Sequence, residues 1–265
     1  MEYRAMSVAG SNSLGGAGIQ ADLKTFQELD VFGMGVITAI VTLFPDGKRD
    51  LFPQSAETVA AQLDSGVEGM GVDALKTGML YSSEVIRLVV DRVKKFGLDR
   101  LVVDPVIVTK TGGNLLHEEA LKAVREELIP LAKVVTPNLP EAEKLTGMTI
   151  RSLEEMKEAA RRLHVLGPDY VLVKGGRLEG EKALDVLYDG KYVVVLEADR
   201  IDTPHTNGAG CTLSAAITAE LAKGNPVETA VQIAKSFVTE AIREAWDREE
   251  GVGPVNHWAY RRRNT

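Results

Sequence analysis

The segment His205-Thr206-Asn207-Gly208-Ala209-Gly210-Cys211-Thr212 leads directly into an apolar stretch, residues 212–223, with the composition of a buried helix. A glycine-rich turn at a helix start directs consecutive backbone N–H groups, and the positive end of the helix dipole, toward one point. We interpret this turn as a receptor for a phosphoryl group or another oxyanion. A tight connection before an ordinary helix with a buried cysteine is the alternative, and the segment alone does not separate the two.

On the N-terminal side of this segment, short β-rich runs alternate with amphipathic helical patterns. Such alternation predicts βαβ units and an α/β fold with a largely parallel sheet covered by helices. Asp189-Gly190 is a hairpin signal that predicts one antiparallel edge. Because no repeat or linker interrupts the pattern, we expect a single domain over residues 1–265. The predicted strands are residues 5–9, 36–41, 74–76, 101–104, 134–136, 171–174, 183–188 and 192–197, and the predicted helices are residues 19–29, 58–68, 84–96, 118–127, 153–166, 212–223 and 227–246.

The composition restricts the class of protein. The 265 residues carry a formal charge of −7, and this acidic balance disfavours a nucleic-acid partner. The single cysteine excludes an internal disulfide, and no Cys/His zinc pattern is present. No apolar run approaches the ~20 residues of a membrane span, and residues 1–4 lack the layout of a signal peptide. We therefore expect a cytoplasmic protein with no membrane partner.

Polar and glycine-rich loops follow the predicted strands, where open α/β sheets bind their ligands. Asp104 ends a buried strand, so it either forms a turn or binds a cation or a water. The basic loop after it contains Lys110 and has the composition of a lid over phosphates; a solvated loop is the alternative. Lys174 precedes two glycines and thus offers a cation with backbone room beside it, which suits a triphosphate.

Asn138 and Glu141 are three residues apart at a predicted helix start, so their side chains can point the same way. Together they could hold the waters of a Mg²⁺ ion, although an N-cap pair is the alternative. Asp22 could face a ligand or complement a helix dipole. One end of a single sheet would thus collect the parts that in-line phosphoryl transfer requires, in a chain without a P-loop.

The run Gly16-Ala17-Gly18-Ile19-Gln20-Ala21 satisfies the G-x-G-x-x-A form of a dinucleotide fingerprint. The acidic residue expected about 20 positions later is missing, and Thr42-Leu43-Phe44 stand near that point. A nicotinamide-dependent oxidoreductase is therefore a secondary hypothesis. A non-catalytic vitamin-binding sensor is another, which would keep the pocket without needing Asn138, Glu141 and Cys211.

In order and spacing, motifs at residues 10–26, 76–80, 104–106, 135–142, 173–176 and 208–212 resemble one known family. The chain is similar to the hydroxymethylpyrimidine/phosphomethylpyrimidine kinases of thiamin synthesis, which belong to the ribokinase-like superfamily and include related pyridoxine/pyridoxal kinases. The resemblance implies a three-layer sandwich with helices on both faces of a mostly parallel central sheet. It also implies ATP and Mg²⁺ as cofactors, a small-molecule substrate and a homodimer.

The resemblance also implies roles for individual residues. Gly208, Ala209 and Gly210 would form an anion hole, and Cys211 would stand where most ribokinase-like enzymes have a catalytic aspartate. Asn138 and Glu141 would organise Mg²⁺ and the ATP phosphates. The remaining expected site residues are Lys110 on the lid, Lys174 and Thr206 near the nucleotide, Asp104 at the metal, and Gly10, Asp22, Leu43, Met79 and Val106 around the substrate ring.

Elementary chemistry makes Cys211 a weak base. A thiol has a pKa of ~8.5, and a helix dipole contributes about 0.3–1 kcal/mol, which is less than one pKa unit at ~1.4 kcal/mol per unit. Bound phosphate would oppose the thiolate further. We therefore expect the anion hole to contribute more to the rate than the thiol.

Two positions bear on the substrate. Pyrimidine kinases of the family usually carry a Gln-Asn pair where this chain has Leu43-Phe44. Leu43 cannot hydrogen-bond an aminopyrimidine, which favours pyridoxal or pyridoxine. Thr109 stands where many pyridoxal kinases of this group have a lid cysteine, which argues the other way. We expect ATP-dependent phosphorylation of a hydroxymethyl group on a vitamin-precursor heterocycle, with pyridoxal or pyridoxine slightly ahead of hydroxymethylpyrimidine and its monophosphate.

Overall fold

The computed structural model describes residues 2–44, 48–107, 117–248 and 251–264. Within these ranges the strands form a single sheet, with the helices on its two faces, which confirms the predicted fold class. The strands are β1 (Arg4–Asn12), β2 (Phe32–Leu43), β3 (Arg49–Pro53), β4 (Ala74–Thr77), β5 (Leu101–Val103), β6 (Val134–Val135), β7 (Tyr170–Lys174), β8 (Lys182–Tyr188) and β9 (Val193–Asp199).

The strand order is β3-β2-β1-β4-β5-β6-β7-β8-β9. All neighbours from β2 to β7 are parallel, and β8 and β9 form the predicted antiparallel hairpin. β3 was not predicted. It adds a second antiparallel edge by pairing with β2, in a register that places Ile40 opposite Phe52. Its five residues include an aspartate and a proline, so only the partner strand makes this segment extended.

The helices fall close to their predicted positions. Serine side chains cap the starts of the helices at residues 56–70, 83–96 and 153–164. Gly97 and Gly147 end the helices at residues 83–96 and 139–146 in the left-handed conformation. The prediction of one helix over 118–127 is wrong in its second half, where a π turn (Val124–Leu128) and a 3₁₀ turn (Ile129–Leu131) follow the α-helix at residues 118–123. The helices are α1 (Ile19–Glu28), α2 (Ala56–Met70), α3 (Ser83–Phe96), α4 (Glu118–Ala123), α5 (Leu139–Thr146), α6 (Leu153–His164), α7 (Ala209–Ala222), α8 (Val227–Arg243) and α9 (Ala259–Asn264).

The helices of the described ranges include none with both the length and the hydropathy needed to cross a bilayer.

Two hydrophobic clusters cover the two faces of the sheet. One contains residues of α2 to α6, and the other contains residues of α1, α7 and α8. Successive strand residues belong to opposite clusters, as the period of a strand requires: in β4, Ala74 faces α7 and Leu75 faces the other layer. A polar residue two positions after Ala74, or after any other strand residue that faces α7, therefore also points toward α7. In this way polar side chains of several strands come to lie on one face of the sheet, where they form the candidate site.

Candidate active site

Polar side chains stand in a row on the face of the sheet that α7 covers. Each follows by two positions an apolar residue of the α7-side cluster, as Lys76 follows Ala74 and Lys174 follows Leu172. The alternation of strand residues thus places charged and hydroxyl groups from neighbouring strands side by side. The members of this row are Ser7, Lys76, Asp104, Thr136 and Lys174.

Lys76 and Asp22 form an ion pair that is closed to solvent. The Lys76 ammonium donates to Asp22 Oδ1 at 2.7 Å, and both side chains are 0% exposed. Ser7 Oγ donates to Asp22 Oδ2 at 2.6 Å. Burial opposes the charge of Lys76, but the nearby carboxylates of Asp22 and Asp104 raise the pKa of Lys76 above its ordinary value, so it stays an ammonium. Both Asp22 oxygens therefore accept hydrogen bonds from buried protein groups, and its predicted substrate contact stays a prediction.

A second ion pair joins Asp104 to Lys174. The Lys174 ammonium donates to Asp104 Oδ1 at 2.8 Å. Thr136 and Ser214 hydroxyls also donate to this carboxylate, each at 3.3 Å. Burial alone would raise the pKa of Asp104, but the ammonium groups of Lys174 and Lys76 hold it below its ordinary value. Asp104 is therefore an ionised, well-partnered carboxylate, and its role as a metal ligand stays a prediction.

Asn138 and Glu141 form a capping box at the start of α5. The Glu141 amide donates to Asn138 Oδ1 at 3.0 Å, and the Asn138 amide donates to Glu141 Oε2 at 2.9 Å. The N-cap alternative is thus the arrangement observed. Glu141 is only 3% exposed, and burial raises its pKa to about 7 against the opposing charge of Lys174.

Within the described ranges, no group of three or more His, Cys, Asp or Glu side chains could hold a metal ion. A hydrated Mg²⁺ needs fewer, because it keeps several waters and uses one or two carboxylates together with substrate phosphates. Glu141 fits such an ion, since a buried carboxyl with a raised pKa regains its charge beside a cation.

The turn at residues 207–211, which we call the anion turn, has the geometry expected of an anion receptor. Gly208 has φ of 85°, and no side chain caps the start of α7. The Ala209 amide donates to the Thr206 carbonyl at 3.3 Å, and the Thr212 amide to that of Gly208 at 2.8 Å. Among the described residues, the amides of Gly210 and Cys211 have no hydrogen-bond partner.

Lys174 lies against this turn. A Cβ atom built on Gly210 would stand 3.4 Å from Lys174 Nζ. The ammonium group is therefore close to Gly210 in the first turn of α7. A cation, the N–H groups of Gly210 and Cys211 and the positive end of the α7 dipole thus occur together at this helix start, and such groups can receive a phosphate.

Cys211 is partly exposed, and its thiol interacts with Lys76, Asp22 and Asp104. Burial raises the pKa of Cys211, and the carboxylates of Asp22 and Asp104 add to this effect, although Lys76 and the Gly18 amide oppose it. The side chain is therefore a neutral thiol at pH 7. This agrees with the expectation that Cys211 is a poor base.

An apolar wall stands beside these charges. Ala39, Val41 and Met79 form a small cluster against which Val106 and Leu51 pack. Thr38 donates its hydroxyl to the Met79 carbonyl at 2.6 Å, and a Cβ on Gly10 would lie 2.5 Å from Met79 Cε. Leu43 shares the face of Val41 on β2. The structure thus brings Gly10, Met79 and Val106 together, and Leu43 lies on the Val41 face of β2.

The glycines of the G-x-G-x-x-A run are required by chain packing. Gly18 has φ of 62°, and a Cβ on it would stand 2.1 Å from the Gly10 carbonyl oxygen. A Cβ on Gly16 would stand 2.6 Å from Pro254 Cβ. These contacts explain the run without a dinucleotide and remove its support for an oxidoreductase.

Lys110 lies outside the described residues, as does the rest of 108–116. Thr206 is an exposed residue of the turn before α7. Sequence reasoning missed Ser7, Thr38, Lys76 and Ser214 as members of the site. Lys76 had a detectable signal, because a lysine in the buried run 74–77 must find a counter-ion.

Comparisons with known proteins agree with this geometry. A sequence profile of the phosphomethylpyrimidine kinase family matches residues 12–256. The pyridoxine kinase of Bacillus subtilis is 49% identical over 263 residues, covering 98% of this chain and 97% of the relative. The hydroxymethylpyrimidine/phosphomethylpyrimidine kinase of the same organism is 44% identical over 261 residues, covering 98% and 96%. The pyridoxal kinase from Staphylococcus aureus in complex with AMP-PCP and pyridoxal superimposes with a TM-score of 0.93 at 40% identity, covering 99% and 96%.

The buried ion pair provides a test of the site's architecture. Replacing Lys76→Met leaves the Asp22 carboxylate buried and unpaired, which we expect to cost about 3–5 kcal/mol of unfolding free energy. Burial already raises the pKa of Asp22 against the opposing charge of Lys76, and without Lys76 the increase should be larger, so at Asp22 the folded variant binds more protons than the unfolded state. The stability of the variant should therefore rise as the pH falls from 7 toward 5. Denaturant unfolding at several pH values measures both effects.

The double variant Asp22→Asn/Lys76→Met removes the stranded charge and should recover part of the loss. Lys157→Met, which breaks a surface pair with Glu154, serves as the control and should stay within about 0.5 kcal/mol of the wild type. A Lys76→Met variant as stable as the wild type at pH 7 would contradict the pairing.

Proposed function

The chain belongs to the phosphomethylpyrimidine kinase family, and from this premise we propose that it transfers the γ-phosphoryl group of ATP to the exocyclic hydroxymethyl group of a vitamin-precursor heterocycle. The observation that carries the proposal is that the Gly210 and Cys211 amides have no hydrogen-bond partner in the described ranges and that the Lys174 ammonium lies close to Gly210. These groups neutralise charge on a phosphoryl group in transit, which is the main task in this reaction.

In the transfer, a bond forms between the substrate hydroxymethyl oxygen and the γ-phosphorus, and the bond from that phosphorus to the β–γ bridging oxygen breaks. The transition state is loose, so the hydroxyl needs little prior deprotonation; its proton leaves late, to an oxygen of the transferred phosphoryl group, and ADP departs with the bridging oxygen. This suits a site whose thiol is neutral and whose carboxylates are held by lysines. Lys174 and the Gly210 and Cys211 amides would receive the γ-phosphoryl oxygens.

Mg²⁺ is part of the proposal. It would neutralise charge on the ATP phosphates, and Glu141, with Asn138 beside it, would hold it through water molecules. Asp104 would contribute a second carboxylate at the same end of the sheet, and Lys110 would cover the phosphates from the loop that follows Asp104.

For the substrate, we propose pyridoxal or pyridoxine ahead of hydroxymethylpyrimidine and its monophosphate. Met79 and Val106 belong to one apolar cluster, and Leu43, on the Val41 face of β2, has no group that could hydrogen-bond an aminopyrimidine. Relatives of both kinds exist: one at 49% identity is a pyridoxine kinase, and one at 44% is a hydroxymethylpyrimidine/phosphomethylpyrimidine kinase.

We also propose a homodimer. Ile40 and Phe52 are exposed cross-strand neighbours on the antiparallel pair β2–β3 and supply apolar surface for a second copy. Light scattering of the purified chain would give its mass in solution.

Parallel steady-state kinetics with pyridoxal, pyridoxine and hydroxymethylpyrimidine test the substrate. We expect kcat/KM to be highest for a B6 vitamer. Leu43→Gln, which adds a carboxamide able to bond the aminopyrimidine, should shift the ratio toward hydroxymethylpyrimidine by about tenfold. Val165→Gln, at a position that is 85% exposed, is the control and should leave the ratio unchanged. Turnover with hydroxymethylpyrimidine and none with pyridoxal would overturn the preference.

Replacing Cys211→Ala tests the thiol. Because the thiol is neutral at pH 7 and the backbone amide remains in the variant, we expect kcat to fall by less than about 100-fold, the lower part of the usual range for a general base. Calorimetric titration with ADP checks that nucleotide binding is intact. Complete loss of turnover with ADP still bound would assign the essential role to the thiol.

The raised pKa of Glu141 predicts how the magnesium requirement depends on pH. With a pKa of about 7, the carboxylate is mostly protonated at pH 6 and mostly ionised at pH 8. The Mg²⁺ concentration for half-maximal turnover should therefore fall by roughly tenfold over this range. Glu141→Gln keeps an acceptor for the Asn138 amide but cannot ionise, so its requirement should be higher.

Because ATP itself binds Mg²⁺ more tightly at higher pH, the informative quantity is the difference between wild type and Glu141→Gln at each pH. The exposed variant Glu154→Gln should follow the wild type. Equal pH profiles for wild type and Glu141→Gln would exclude Glu141 from the metal site.

A further inference from the structure

The C-terminal segment, residues 253–257, runs beside the anion turn and forms hydrogen bonds with it. The Asn207 amide donates to the Gly253 carbonyl and the Val255 amide donates to the Asn207 carbonyl, both at 3.1 Å, in a short parallel bridge. The Gly253 amide also donates to Nδ1 of His205 at 2.9 Å. Both backbone groups of Asn207, the residue before Gly208, are therefore held by this segment.

His257 makes a second connection, to the first turn of α7. Its side chain is 4% exposed, and its Nε2 is 3.1 Å from the hydroxyl oxygen of Thr212, which is fully buried. Burial lowers the pKa of His257 to about 4, with a contribution from Lys24. The imidazole is thus neutral at pH 7 and forms a neutral hydrogen bond. Thr212 directly follows Cys211, and its amide is bonded to the Gly208 carbonyl.

The segment is in turn fixed to the end of α8 and the residues after it. The Asn256 amide donates to the Ala241 carbonyl at 2.8 Å, and the Trp246 amide donates to the Pro254 carbonyl at 2.9 Å. A Cβ on Gly253 would stand 1.8 Å from the Trp246 carbonyl oxygen, so only glycine permits this approach. The segment therefore connects the anion turn to α8.

We propose that residues 253–257 position the anion turn for phosphoryl transfer, and that His257 is a positioning residue that sets the first turn of α7 through Thr212. This inference rests on the proposed kinase function. The Gly210 and Cys211 amides act only if they point at the charge that develops in the transition state, and a small displacement of such donors costs rate steeply. In this scheme His257 contacts neither ATP nor the heterocycle, and it acts through α7.

The variants His257→Leu and Thr212→Val each remove one side of the hydrogen bond. Both should lower kcat by on the order of tenfold or more, with little change in KM for the heterocycle. Because the two residues act through one contact, the double variant should be no worse than the more affected single variant. His257→Gln, whose carboxamide can donate to or accept from the Thr212 hydroxyl, should restore much of kcat.

Tyr260→Leu is the matched control. Tyr260 lies on α9 and packs on the buried Phe237, with ring centroids 5.4 Å apart, so its replacement reports the loss of C-terminal contacts other than the His257–Thr212 hydrogen bond. If Tyr260→Leu lowers the melting temperature about as much as His257→Leu does, it should still keep the kcat of the wild type. If it loses kcat as His257→Leu does, or if His257→Leu keeps its kcat, the positioning role is refuted.

Hydrogen exchange read by mass spectrometry gives a measure that does not need turnover. His257→Leu should speed exchange at residues 207–212 beyond the effect of Tyr260→Leu. If exchange at residues 207–212 is faster but the protein phosphorylates neither heterocycle, the link between His257 and the anion turn is upheld and the proposed function is rejected. Unchanged exchange in an active enzyme would reject the link alone.

Discussion

The ammonium groups of Lys76 and Lys174 lie under the start of α7, each bonded to a carboxylate that is itself buried, Asp22 or Asp104. Neither sign of charge could stay there alone, because an unpaired ion in a protein interior costs several kcal/mol. Within each pair, the ammonium therefore depends on the carboxylate and the carboxylate on the ammonium. Lys76 also lies close enough to Cys211 and Asp104 to interact with them. The architecture of the site follows from this mutual neutralisation.

The same balance of charges accounts for the electrostatics at the start of α7, where the phosphoryl group is proposed to bind. Because the two ammonium groups balance the two carboxylates, the positive potential there comes from the Gly210 and Cys211 amides, which have no hydrogen-bond partner among the described residues, and from the α7 dipole. Cys211, surrounded by those carboxylates, keeps its proton. Under the proposed function, the site works by receiving negative charge, and the Cys211 thiol has a minor role in proton transfer.

Much of the fold could be predicted from the sequence because its signals are local. The alternation of β-rich and amphipathic runs, the Asp189-Gly190 hairpin and the glycine-rich start of α7 each depend on neighbouring residues only. β3 escaped prediction because its extended form depends on pairing with β2. The capping box of Asn138 and Glu141 shows the same limit, since a helix start that was visible in the sequence left its chemical role open.

By itself the sequence determined the layered α/β class, the position of the anion turn and the residue types available at the sheet's carboxyl end. Only the tertiary structure decided which of these residues pair with one another and how deeply they are buried. Asp22 was expected at the substrate yet pairs with Lys76 across 54 residues, and His257 reaches Thr212 across 45. The physical reason is that burial and ion pairing join residues far apart in the chain, and a local pattern carries no information about that distance.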